Sequence, residues 1–187
     1  MSSRATLRAL AASDLPLLHA LRVEQVRENG KDGDPLYSNV TYDLTVEAFV
    51  EKQEPRLSAP VTSENWARFW GAFEGDQLGG YVMLQPTLSH PSALHRATLV
   101  LALRRPFRRK GLGTALTTHA IDWARTQPQL DWIDLGVFAN NTPAIRLYQK
   151  LGFREVGRTV DYFRVREEKV TDVLMAFPLR SEAQWRT

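Results

Sequence analysis

Three cationic residues run directly into two glycines at Arg108-Arg109-Lys110-Gly111-Leu112-Gly113, and Thr114 follows. A glycine turn at the start of a helix can make an anion site. The first backbone N–H groups of a helix have no internal acceptor, and the helix dipole favours negative charge there. Glycine removes the Cβ that would keep a phosphate at a distance. The chemistry this spacing offers is a cradle for a phosphate or pyrophosphate. A blander reading stays open, in which Gly111 closes a turn and the cations form a solvated face. Two familiar phosphate motifs do not fit: G-x-G-x-x-G fails at Leu116, and G-x-x-x-x-G-K-[ST] is absent.

A second stretch, Val137 to Phe153, reads VFANNTPAIRLYQKLGF. Helical periodicity places Ala144, Leu147, Tyr148 and Leu151 on one face. Tyr148 then has two readings. It is a core aromatic, or its hydroxyl, with a pKa of about 10, is aimed at a site between two strands as a proton donor.

The elements that must position these residues follow from pattern. ATLRALAAS reads as a first strand. Ser13 or Asp14 caps a helix carrying Leu17, Leu18, Leu21 and Val26, which Asn29-Gly30 ends. A polar loop follows, then a short helix expected to stop before Pro55. The stretch from Trp66 to Pro86 reads as a hairpin around Glu74-Gly75-Asp76. A strand is expected through Thr98 to Leu103, then the glycine turn and a helix to about Ala124. LDWIDLGVF is a strand, and Thr142-Pro143 opens a helix closed by Gly152. Two C-terminal strands meet in a turn near Glu167-Glu168-Lys169. The order is β-α-α-β-β-β-α-β-α-β-β, with no repeat and no linker.

The 187 residues include no cysteine, which rules out a disulfide framework, a thiolate metal site and a cysteine nucleophile. His19, His90, His95 and His119 lack metal-ligand spacing, so no metal is expected. The N-terminal MSSRATLRALAASDLP has no apolar signal region, and no window suits a membrane span. A cytoplasmic protein with no membrane partner is expected. The net charge is only +3, yet five of the seven residues from Arg104 to Lys110 are cationic. That packs charge into one turn with Phe107 as its lone aromatic, which suits a compact anion better than nucleic acid.

Arg108, Gly111 and Gly113 after an apolar strand resemble the acetyl-CoA-binding motif of the GCN5-related N-acetyltransferase (GNAT) superfamily. Asn141, Ala144, Leu147, Tyr148, Gly152 and Phe153 look like its second motif. The likeness extends from about Thr6 to Leu179, and HRATLVLAL and VTDVLMAFPL resemble the branch of ribosomal-protein, amino-acid and antibiotic-type acetyltransferases. The resemblance implies an α/β (α+β) fold, one domain over residues 1–187. It would have a mixed central sheet of about seven strands, about four helices and a splayed pair of parallel strands at the cofactor site.

The resemblance also implies roles. Backbone N–H groups from Arg109 through Lys110, Gly111, Leu112 and Gly113 to Thr114 would hold the CoA pyrophosphate, with Arg108 as the motif cation. Leu101 and Leu103 would pair with the pantetheine arm, and an N–H of one of them would face the developing oxyanion. Asn141 and Ala144 belong to the cofactor-binding set. Tyr148 would protonate the leaving thiolate. Acetyl-CoA would be the cosubstrate, and a primary amine on a small molecule or a protein N-terminus the acceptor. A homodimer is compatible with it.

Two points depart from the family pattern or lie beyond it. Related sequences often carry glutamate as the base where this one has Thr98. Asp134, Glu74, Asp161 or a water chain remain open for that task. The loop from Asn29 to Asp43, with Asp32, Asp34, Tyr37, Tyr42 and Asp43, either suits a cationic amine or is merely solvated. A non-catalytic CoA-binding or regulatory protein is the alternative function.

Overall fold

Residues 68–86 show on both faces what a doubly covered sheet demands of its strands. Strand β2 (Arg68–Glu74) and strand β3 (Gln77–Pro86) form a hairpin around Gly75 and Asp76. Trp70, Ala72, Val82 and Leu84 are buried in one apolar cluster, while Phe69, Phe73, Tyr81 and Met83 are buried in another. Successive side chains leave a strand on opposite sides, so near-continuous apolar sequence means cover on both. The computed structural model describes residues 5–31, 41–165 and 167–180.

The covers are four helices. α1 (Leu15–Glu28) and α2 (Val46–Ser58) lie over one face, burying Leu15, Leu18, Leu21 and Phe49. α3 (Leu112–Arg125) and α4 (Thr142–Leu151) cover the other. On α3, Leu116, Ala120 and Ala124 are 0% exposed and recur at intervals of four, the stripe an amphipathic helix presents to a core.

β1 (Thr6–Ala9), β4 (Arg96–Leu103), β5 (Trp132–Phe138), β6 (Arg154–Val165) and β7 (Glu168–Pro178) complete a seven-stranded sheet. Its order is β1-β2-β3-β4-β5-β7-β6. Every neighbouring pair is antiparallel except β4 and β5. The expected element order, the mixed seven-stranded sheet and the four helices are all present.

The parallel pair matters most. β4 and β5 register only over Arg96–Thr98 and Trp132–Asp134. Beyond that, β4 stays with β3 to Leu103, and β5 stays with β7 to Phe138. The strands therefore part, leaving the β5-facing backbone edge of β4 without a β5 partner. Polar groups tie the closed end. Arg96 forms a two-pronged ion pair with Asp134 and stacks 4.9 Å from the Trp132 ring. The Thr87 hydroxyl donates to Asp134 (3.0 Å), and the Thr98 hydroxyl donates to Thr87 (3.1 Å).

Three local expectations need correction. α2 does not stop before Pro55 but runs on to Ser58. Proline costs a helix an N–H and crowds the carbonyl four residues back. Here the last turn is held from outside. The Arg56 carbonyl accepts from the Ala67 N–H at 2.9 Å and from Arg68 at 3.1 Å, and Arg68 also donates to the Ala59 carbonyl at 2.7 Å. Tertiary partners thus satisfy the carbonyls that a broken end would expose. The C-terminal turn is also shorter than expected, because Glu168 and Lys169 already belong to β7. Asp14 does precede α1, yet its carboxylate bonds Arg8 and the Ala11 N–H rather than the helix behind it.

Candidate active site

The parting of β4 and β5 opens a cleft of about 390 Å³. Leu99 to Leu103 form one wall and Gly136 to Phe138 the other. Arg108 and Gly113 close it from the start of α3, and Asn141, Ala144, Leu147 and Tyr148 from α4. Seven of the residues expected to work together therefore meet here: Leu101, Leu103, Arg108, Gly113, Asn141, Ala144 and Tyr148. Arg109, Lys110, Gly111, Leu112 and Thr114 form the turn and first turn of α3 at the cleft's end and do not line it.

The two glycines answer different demands. Gly111 is the N-cap of α3 at φ +79°, with open space where a Cβ would stand. It is there for its left-handed backbone. A Cβ on Gly113 would sit 3.0 Å from Leu147 and 3.5 Å from Leu101. Its absence lets the helix start press against the cleft wall. No side chain caps α3, and its first intrahelical acceptance is Gly111 O from the Ala115 N–H, at 3.0 Å. The N–H groups of the first turn are left for an external acceptor.

The cations around the turn do not act as one block. Arg104 pairs with Glu24 of α1 at 3.0 Å, and Lys110 reaches Glu74 at 4.0 Å. Arg108 donates to the Leu103 carbonyl at 3.0 Å and to Glu28 at 3.4 Å. Its guanidinium braces the end of β4 against α1 while lining the cleft. Arg109 is exposed, with φ +61°.

On α4, Asn141 is the N-cap, and its side-chain oxygen accepts from the Ala144 N–H at 3.3 Å. That leaves the amide NH₂ as the Asn141 donor at the cleft. Tyr148 is 6% exposed, packs its ring edge-on to Phe153 at 5.6 Å and also lines the cleft. The two readings of Tyr148 are thus compatible: a core ring whose position brings it to the cleft.

The three acids considered as bases are all engaged away from the cleft. Asp134 is held by Arg96 and Thr87, Glu74 is near Lys110, and Asp161 pairs with Arg164 and Lys169. A different acid, Asp172 on β7, abuts Gly136 of the cleft wall. A Cβ on Gly136 would sit 2.8 Å from its carboxylate oxygen. Asp172 is 5% exposed, and burial pushes its carboxyl up from the ordinary value. Of the loop from Asn29 to Asp43, the positions Asp32, Asp34 and Tyr37 lie outside the described residues. Tyr42 packs on His19 and Phe49, and Asp43 is exposed.

On the other face of β4, a second cavity of about 380 Å³ opens between α1, α2 and β3. Arg22, Lys52 and Arg56 line it, together with Tyr81 and Gln85. Reading the sequence did not single these residues out. A signal existed, since Arg22 and Gln25 continue the Leu18–Leu21 stripe of α1, and Gln53 and Arg56 continue from Phe49 on α2. Polar residues at core positions of a helical repeat mark a wall that does not face apolar core.

Comparisons place this architecture among known proteins. A model of the acetyltransferase (GNAT) family matches residues 39–153. The chain is 34% identical over 113 residues to an N-alpha-acetyltransferase of Sulfolobus acidocaldarius, covering 57% of this chain and 65% of the relative. It is 29% identical over 105 residues to the [ribosomal protein bS18]-alanine N-acetyltransferase of Salmonella typhimurium, covering 56% and 66%. The chain thus spans slightly less than two thirds of the length of either relative. A structure from Salmonella typhimurium, assigned to an acetyltransferase and solved with its cofactor acetyl-CoA, superposes with a TM-score of 0.81. It is 18% identical, and the match covers 97% of each chain. A parallel pair that splays beside an uncapped helix start and a family match over most of the sheet lead to one conclusion: the chain belongs to the acetyltransferase (GNAT) family.

Proposed function

We propose that this protein transfers an acetyl group from acetyl-CoA to a primary amine by direct attack. The observation that carries the reading is the splay of β4 from β5 over an uncapped helix start. It offers an unpaired strand edge for an extended amide-bearing arm and backbone donors for a pyrophosphate. We read the 187 residues as one domain around this sheet. We place it in the cytoplasm, which a chain without cysteine suits.

In this reading the N–H groups of Gly111 to Thr114 take the pyrophosphate, Arg108 adds charge beside it, and Asn141 donates to the arm. Leu101 and Leu103 run their backbone along it. The neutral amine attacks the thioester carbon, and a β4 N–H steadies the oxyanion as charge develops. The C–S bond then breaks. The phenol of Tyr148 gives its proton to the leaving thiolate, a contribution of roughly 10² to 10⁴ in rate. With no cysteine in the chain, no thiol acyl-enzyme intervenes. The attacking nitrogen sheds its proton to water and water returns one to the Tyr148 phenolate; Thr98 has no carboxylate, and its hydroxyl donates to Thr87.

Thermal melting with and without acetyl-CoA tests the reading. A ligand bound to the native state raises the melting point with concentration. That rise, followed by amine-dependent release of CoA thiol, is the expected outcome. No rise at millimolar acetyl-CoA would refute it.

A further inference from the structure

The cavity between α1, α2, β3 and β4 has an unusual charge. Arg22 comes from α1, and Lys52 and Arg56 from α2, and among the described residues no carboxylate lines it. Elsewhere the arginines flanking β4 are paired: Arg96 with Asp134, Arg104 with Glu24, Arg108 with Glu28. Arg22 and Arg56 have no carboxylate partner among the described residues. Arg22 lies 5.3 Å from the Phe49 ring and 5.5 Å from the Tyr81 ring, and one guanidinium nitrogen is 3.8 Å from the Met83 sulfur. Arg56 is oriented by two amides, Gln53 and Gln85, each accepting at 2.8 Å.

Among the described residues three donors here are buried and unmatched: Nε of Arg22, Nε of Arg56 and Nε2 of Gln25. A buried donor without an acceptor is costly, and two like charges in one cavity repel. Burial and then the repulsion of Arg22 hold the Arg56 guanidinium below its usual value. An oxyanion in this cavity would offset the like charges of Arg22 and Arg56, and guanidinium is suited to a planar carboxylate.

The cavity's position says what that oxyanion belongs to. Val100, Leu101 and Ala102 line both this cavity and the cleft between β4 and β5. A molecule seated here lies against the stretch of β4 where, on the acetyl-transfer reading, the acetyl group would be presented. We infer that the acceptor is a small primary amine carrying a carboxylate or similar oxyanion, the chemistry of a free amino acid, with Arg22 and Arg56 binding the anion. The inference rests on the acetyl-transfer reading. It disfavours a protein N-terminus, whose amine is followed by neutral peptide bonds. A cavity of about 380 Å³ is also of small-molecule size.

The test measures CoA thiol release by the full chain at saturating acetyl-CoA. The acceptors are the free L-amino acids, the same amino acids as amides, aminophosphonates, and short peptides with neutral or acidic second residues. The best free acid or aminophosphonate should exceed its uncharged counterpart at least about tenfold in kcat/KM, and comparing the two anions identifies the preferred oxyanion. Arg56→Gln should collapse that ratio chiefly through KM, and Arg56→Lys should restore part of it. Retention of the acetyl-CoA thermal shift shows that each variant is folded. Amides or peptides of either kind that match or outrun the free anions would overturn the inference, with acetyl transfer intact. Binding of acetyl-CoA with no turnover of any free anion would overturn it too. Absence of the thermal shift in the wild type would instead remove the reading beneath it.

Discussion

The two hollows on either side of β4 are of nearly equal size, about 390 and 380 Å³, and are built from opposite materials. The cleft toward β5 is made largely of backbone: an open strand edge, a left-handed glycine, the uncapped start of α3. Its side chains are mostly apolar, and its cation, Arg108, is already paired with Glu28. The cavity toward α1 and α2 is made of side chains, with unmatched buried donors. A backbone site suits a ligand that never changes. A side-chain site can be rebuilt by substitution without disturbing the sheet. On the proposed reading, the constant partner belongs to one side of β4 and the variable one to the other.

The largest effect should come from Tyr148, the residue proposed to serve the transfer itself. Tyr148→Phe keeps the buried ring and its edge-on contact with Phe153, so folding and the acetyl-CoA thermal shift should survive. kcat should fall by about 10² to 10⁴ with KM for the amine little changed. A variant that turns over at the wild-type rate would leave Tyr148 as core alone and move the proton donor elsewhere.

Thr114→Glu separates binding from stability on the backbone side. Thr114 is exposed in the first turn of α3, and no acidic residue is present there. A carboxylate at this end of the helix should raise the melting point slightly, by about 0.3–1 kcal/mol of stability. The same charge opposes a pyrophosphate at those N–H groups, so acetyl-CoA affinity should drop by an order of magnitude. A variant both more stable and equally able to bind would place the pyrophosphate away from α3.

These two regions were also unequally legible. The backbone side needs glycine at fixed positions beside a helix start, so Arg108, Gly111 and Gly113 stand close together in the chain. Asn141 and Tyr148 are likewise fixed by the cap and core face of one helix. The side-chain side draws on α1, α2, β3 and β4, with 33 residues between Arg22 and Arg56 along the chain, and no local spacing reveals it. Pro55 was misleading for the same reason, since the partners that keep α2 helical, Ala67 and Arg68, arrive from the next strand. The engagement of Asp134 with Arg96 and Thr87 depends on strand pairing that periodicity does not specify. The order of elements along the chain was more accessible, because apolar runs and turn residues alternate cleanly.

If the acceptor side is built for binding at some cost to stability, removing one of its cations should not unfold the protein. Arg22→Met keeps an unbranched chain against Phe49, Tyr81 and Met83 and deletes the repulsion with Arg56. Its melting free energy should stay within about 1 kcal/mol of wild type or rise, as replacement of buried charge by apolar volume often allows. A loss of several kcal/mol would mean that Arg22 is a structural strut, and the contrast between the two sides of β4 would weaken.

Asp172 offers the smallest effect and the finest test, because it places a buried carboxyl beside the mostly apolar cleft. Burial raises its carboxyl above the ordinary 3.8 in the folded chain. The native state therefore holds this proton more tightly than the unfolded chain does. Below the unfolded value both states are protonated and the penalty is absent. As pH rises from there through the folded value, the cost of the buried carboxylate grows to its full size and then stays constant. Asp172→Asn keeps the shape and removes the charge, so it should raise the melting point at pH 7, with the gain shrinking toward zero near pH 3. A melting point lowered at pH 7 would mean instead that the carboxylate is stabilised where it stands. The wall of the cleft at Gly136 would then be an electrostatic feature of the backbone side, and the division of charge between the two hollows would no longer hold there.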